Sequence, residues 1–160
     1  MYYEREIYKL EQKIKELKAK QELRPVWKPE IEESYYVADV GAVSEYRWGD
    51  DEVDQHYLNT GTLFKTEEEA DNYTRSLELI ELIRRERFRV QGTWRPSEGD
   101  VTFNLYSDRL DNTIGTTYRK WVAPTNVFGS WRHENSLKAV IKKHEAGLKW
   151  YFNEYLPSVN

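Results

Sequence analysis

Cysteine is absent from the 160 residues, which excludes a disulfide framework, a thiolate metal site and a cysteine nucleophile. Long apolar runs are lacking too. The opening stretch MYYEREIYKLEQKIKELKAK is charged at every second or third position, which neither a signal peptide nor a membrane span tolerates. No P-loop, Rossmann glycine pattern or nucleophile elbow occurs. The histidines, His56, His133 and His144, stand in unrelated contexts without a short-spaced ligand motif, so neither a metal nor a cofactor is expected. Paired carboxylates abound, but a charged surface supplies them without catalysis. The expectation is a soluble intracellular protein without enzymatic activity.

Aromatic residues are plentiful. Six Trp, twelve Tyr and five Phe make up 14% of the chain, ring area enough to offset the entropy lost on folding and to argue against disorder. The net charge of −4 is unevenly spread. Residues 1–26 carry +2, residues 27–90 carry −8 and residues 91–160 carry +2. The acidity gathers at Asp50, Asp51, Glu52 and Asp54 and again at Glu67, Glu68, Glu69 and Asp71. Such runs form a solvated face or an interaction surface.

Residues 1–24 have the spacing of a heptad helix, with apolar side chains at Tyr3, Ile7, Leu10, Ile14 and Leu17 and Pro25 as the stop. With Ile7 and Ile14 at a, a parallel homodimer sets Glu6 against Glu11 and Lys13 against Lys18, both repulsive. Antiparallel pairing brings Glu4 to Lys18 and Glu6 to Lys20 instead. The helix either folds back on its own domain or pairs with a second copy through Ile7, Leu10, Ile14 and Leu17. Self-association is the expectation, because an isolated helix of this length is marginal without a covered seam.

Beyond the RPVWKP linker the pattern changes. SYYVADVGAVSEYRW alternates around Gly41 and reads as two strands and a turn. GDDEVD reads as an acidic loop. Thr66 and Glu69 then form a capping box ahead of a helix whose buried stripe is Ala70, Tyr73, Leu77, Ile80 and Ile83. Arg84, Arg85, Arg87 and Arg89 favour its C-terminal end, and Gly92 closes it. Strands follow in VTFNLYS and TIGTTYRKWV, turned by DRLDN. A last helix starts near Glu134, with an apolar face of Leu137, Val140, Ile141, His144 and Leu148 and Gly147 as its end.

An offset of 67 residues superposes Trp27-x-Pro29 on Trp94-x-Pro96, Tyr36 on Phe103, and FKTEEEA at 64–70 on WRHENSL at 131–137. Overall identity at this offset is low, but the matches gather at landmarks. The expected fold is α+β: a coiled-coil helix at 1–24, a first β–α unit at 25–92 and a second at 93–160, the two being divergent copies.

The W-x-P entry, the Tyr-rich strand, Trp48, the acidic stretch and GTLFKTEEEA resemble small proteins encoded by phages and prophages of Gram-positive bacteria, in which a segment like G-N-x-F-K-T-x-E-E-A-E leads into a helix. The resemblance spans roughly residues 27–85, with Thr62 where Asn is common and Asp71 where Glu is common. It implies a mobile-element origin and the cytoplasm of a bacterial host, rather than a reaction.

Two functional readings follow. In the first, a non-enzymatic phage protein inhibits or redirects a host protein, in the manner of an anti-CRISPR or other anti-defence inhibitor, with Asp50, Asp51, Glu52 and Asp54 as the contact. In the second, the interleaved rings and cations Trp94, Arg95, Arg109, Arg119, Trp121 and Arg132 hold a nucleotide or single-stranded nucleic acid. The blander account of those rings is core and strand-edge packing with cations snorkelling outward. A balance of +2 is too small for duplex DNA, whose binding rests on many phosphate contacts.

Overall fold

The computed structural model describes Ile7, residues 11–14, 27–39, 41–121 and 127–159. Ile7 and residues 11–14 are helical, and Ile7 and Ile14 are 56% and 52% exposed. The rest of the heptad seam, including Leu10 and Leu17, lies outside the described residues.

The chain is α+β. Strands β1 (Ser34–Asp39) and β2 (Ala42–Arg47) form the expected antiparallel hairpin, with Tyr35 opposite Tyr46 and Val37 opposite Ser44. Alternation puts Tyr35 and Val37 inward, where they meet Trp48 in a small core that Trp27, Tyr57, Leu58 and Leu63 surround. The acidic stretch is not a loop. It opens helix α1 (Glu52–Thr60), capped by Asp51, whose carboxylate accepts from the Val53 and Asp54 amides at 2.9 Å each. Strand β3 (Leu63–Phe64) then pairs with β1, giving the sheet order β2-β1-β3.

Helix α2 (Glu67–Gln91) begins at the expected capping box, with Thr66 accepting from the Glu69 amide at 3.2 Å and Glu69 accepting from the Thr66 amide at 3.1 Å. It packs across β1 and β2 and continues into a second core. Its buried positions are Ala70, Ser76, Leu79 and Ile83, while Leu77 is exposed. The expected stripe was therefore out of phase in its middle: apolar residues sit on two sides of the helix here, and the side facing the second core wins.

Strands β4 (Val101–Asp108) and β5 (Thr113–Lys120) form the second hairpin. Trp131 lies along the free edge of β4, exchanging two backbone hydrogen bonds with Phe103 at 2.8 and 2.9 Å. Helix α3 (Glu134–Lys143) covers the hairpin. Gly147 does not end the helical path. After a break at His144 the chain runs through α4 (Glu145–Trp150), a π-helical turn at Tyr151–Tyr155 and a last turn, α5 (Leu156–Val159). Leu79, Ile83, Leu105, Phe128, Trp131, Leu137, Ile141, Leu148 and Tyr151 form the larger core. Gly147 is where Leu79 comes closest: a Cβ there would lie 3.1 Å from Leu79 Cδ1. Among the described residues no helix is long and apolar enough to cross a membrane.

Several features recur at the offset of 67. β1 begins at Ser34 and β4 at Val101. Tyr36 pairs with Phe64 as Phe103 pairs with Trp131. Lys65 lies over the Trp27 ring at 5.9 Å as Arg132 lies over Trp94 at 6.0 Å. The helices that follow are capped at Thr66 and His133.

Candidate functional site

The acidic quartet separates into different roles. Asp50, Asp51 and Glu52 are exposed. Asp50 accepts from Lys28 Nζ at 3.0 Å and Gln55 Nε2 at 2.5 Å, and the Lys28 contact foremost holds its carboxyl below the usual range. Asp51 serves as the helix cap. Asp54 is only 4% exposed and accepts from Tyr35 Oη at 2.5 Å, Gly49 N at 2.6 Å and Asp51 N at 3.3 Å. Burial raises its pKa, but the Tyr35 hydroxyl and the Gly49, Asp51 and Asp50 amides outweigh that and leave it lowered. A carboxylate so enclosed cannot be a surface contact, which corrects the expectation for Asp54: it locks α1 to β1.

The apolar surface lies elsewhere. Between the β1–β2 hairpin and α2 runs a groove of about 570 Å³, lined by Ala38, Gly41, Thr62, Tyr73, Leu77 and Leu82 together with Asp39, Glu78, Glu81 and Arg85. Leu77 and Leu82 are 48% and 47% exposed, and the buried Thr74 hydroxyl beside them has no partner among the described residues. Arg85 is tied to Glu81 at 3.0 Å. The groove thus offers apolar contact flanked by three carboxylates and a single, already paired cation.

The basic and aromatic residues are partly brought together. Arg119 pairs with Thr102 across the hairpin, and the Phe103–Trp131 register carried one residue on sets Arg132 on the other side of Thr102. The same register sets Ser130 beside Asn104, and the Ser130 hydroxyl donates to Asn104 Oδ1 at 3.2 Å. Trp121 continues the backbone pairing at this end, donating to Asp100 O at 2.7 Å. Arg109 is not part of the group. It sits at the β4–β5 turn beside Asn112, Lys149 and Asn153, roughly 20 Å away at 3.3 Å per strand residue.

Two arginines that had been read only as helix-end charges belong to this corner. Arg87 is half-buried, with its Nε unpartnered among the described residues and one Nη 3.4 Å from Ser130 O. Burial, then the nearby Arg84 and Arg95, lowers its pKa. Gln91 clasps the same strand segment, donating to Ser130 O at 3.1 Å and accepting from Arg132 N at 3.0 Å. No sequence signal marked Arg84, Arg87 or Gln91 as members of one cluster, because the loop that receives them is more than 35 residues away.

No family model, curated protein or solved structure matches the chain. Among the described residues no group of three His, Asp or Glu side chains is arranged to hold a metal ion.

Proposed function

We propose that this is a non-enzymatic binding protein of a phage or prophage that inhibits or redirects a host protein, with a defence complex such as a CRISPR effector as the target class. The observation that carries it is the groove at Leu77 and Leu82. Two half-exposed leucines of α2 lie outside both cores, and the carboxylates around them suit a partner presenting an amphipathic basic helix. Asp51 and Glu52 add exposed negative charge on the same unit. The resemblance to prophage proteins supplies the setting.

Self-association through the N-terminal helix belongs to the same reading, supported by the half-exposure of Ile7 and Ile14. So does descent of the two β–α units from one ancestor. It is supported by the shared strand start, cross-strand pair, cation–ring pair and position of the helix start, although the hairpins differ in length. The first hairpin, from Ser34 to Arg47, spans 14 residues and the second, from Val101 to Lys120, spans 20. The stretch from hairpin to edge residue shortens by the same six, from 17 (Arg47 to Phe64) to 11 (Lys120 to Trp131).

Cross-linking in a bacterial host, read by mass spectrometry, tests the functional reading. The wild type should cross-link to a host protein through groove residues, and Leu77→Glu with Leu82→Glu should lose that partner while keeping its far-ultraviolet circular dichroism. Retention of the same partner by the folded variant would overturn the reading. If the variant instead lost only contacts with another copy of itself, the groove would be an oligomer interface and not the host contact.

A further inference from the structure

We propose a second, independent binding site where the last turns of α2 meet the Ser130–Arg132 segment: Arg84, Arg87, Arg95 and Arg132 grip the phosphate of a ligand whose base stacks on Trp94. The ligand is a nucleotide or the end of a single-stranded nucleic acid.

The charges are the first support. Arg85 and Arg89, on the same helix, are neutralised by Glu81 and Glu86, and Lys143 also goes to Glu86. Among the described residues Arg84, Arg87, Arg95 and Arg132 have no carboxylate at ion-pair distance. Folding gains little from gathering guanidiniums without carboxylates: Arg87 makes one long bond to Ser130 O and Arg132 lies over Trp94, while Arg84 and Arg95 repel Arg87, which also gives up hydration. The dipole of α2 favours cations in its final turns, but Arg95 and Arg132 come from a loop and a strand edge and draw no such benefit.

The second support is the seat built for Arg87. Gly129 has φ +74, and a Cβ there would lie 2.8 Å from Arg87 Cζ. A side chain at 129 would strain the backbone and push the flexible end of Arg87 aside, so the guanidinium rests where only a glycine leaves it room. Trp94, partly exposed and beside Arg132, supplies a ring face at the edge of this cluster. Planar guanidiniums suit phosphate oxygens, and an aromatic ring accepts any base.

The test titrates the full chain with pyrophosphate, adenosine triphosphate and a short labelled oligothymidine at low salt, following tryptophan fluorescence or anisotropy. Arg84→Gln and Arg95→Gln should each weaken binding about tenfold. Together they should flatten the slope of log K against log salt for the oligothymidine by about 1.4. Neither should lower Tm, because each relieves repulsion, whereas a merely structural arginine would lower it. Gly129→Ala should weaken binding comparably, and Leu77→Glu with Leu82→Glu should leave it unchanged. Preference for the triphosphate identifies a nucleotide site, and preference for the oligothymidine a strand site. Pyrophosphate binding as tightly as either would remove Trp94 from the proposal. Absence of saturable binding at millimolar concentrations, or equal binding by the Arg84→Gln, Arg95→Gln double variant, overturns it.

Discussion

Replacing Asp54 separates a structural carboxylate from a surface contact. Asp54→Ala strands the buried Tyr35 hydroxyl and the Gly49 amide, which donate to it at 2.5 and 2.6 Å. Each unsatisfied group costs about 1–3 kcal/mol. The capping box of α1 loses its returning side chain as well, since Asp54 is the residue that accepts from the Asp51 amide. The sum is about 3–5 kcal/mol, a large part of the 5–15 kcal/mol typical of a whole domain. Tyr35→Phe removes one donor and leaves the amides in place, so it should cost less, about 1.5–3 kcal/mol. Acid acts on the same group. Its folded pKa lies below the unfolded one, so the stabilisation is fully present above the ordinary aspartate value of about 3.9 and is lost as pH falls through the folded value. Urea titrations followed through Trp48, whose ring meets Tyr35 edge-on at 5.9 Å, measure both effects. Between pH 5 and acid the wild type should lose more stability than Asp54→Asn. An Asp54→Ala protein within 0.5 kcal/mol of wild type, below the usual threshold for a buried polar loss, would refute the assignment.

Leu10→Glu with Ile14→Glu should convert an oligomer to a monomer in sedimentation with the β–α part still folded; a monomeric wild type across micromolar concentrations rules out the seam as a contact. Gly147→Val should destabilise by about 1–3 kcal/mol in thermal denaturation, because Leu79 already packs where the new side chain must go, and an unchanged Tm would mean that Leu79 can move aside.

What the sequence disclosed follows from how local each signal is. The Gly41 hairpin, the Thr66–Glu69 cap, β4, β5 and the helix at Glu134 are written in neighbouring residues, and they stand where the pattern put them. Helix α1 was misread because GDDEVD looks like a charge run. Its Asp51-x-x-Asp54 spacing is a capping box, but it uses Asp where Glu is usual and precedes only nine residues of helix. Gly147 looked like a terminator, whereas its real constraint is Leu79, far away in sequence. The phase of α2 was ambiguous for a tertiary reason: the helix packs on the first sheet, reaches the second core at Leu79 and Ile83, and lines the groove at Leu77 and Leu82. Of the arginine corner, Trp94, Arg95 and Arg132 were legible as interleaved rings and cations, whereas Arg84 and Arg87 were not, since Gly129 and Ser130 meet Arg87 only in the folded chain.

Under the reading that the two units share an ancestor, the equivalent positions say how their surfaces came apart. In the first unit the cation over the tryptophan, Lys65, stands beside Glu68 and Glu69, and Glu69 accepts from the Thr66 and Lys65 amides. The equivalents in the second unit are Asn135 and Ser136, and its cap, His133, makes no side-chain hydrogen bond to the helix. Both the carboxylates and the capping box are missing where Arg132 lies over Trp94. His133→Thr with Ser136→Glu should restore the box and raise stability by about 1 kcal/mol, read as an increase in Tm. The same carboxylate next to Arg132 should weaken a phosphate-bearing ligand severalfold, with the loss shrinking as salt screens the new charge. Gain without loss would mean that Arg132 stands outside the phosphate site, and loss without gain that the second helix start cannot adopt the geometry of the first. The two effects together would show a helix cap given up for an unmatched cation, which is the trade that a binding surface makes and a purely structural surface does not.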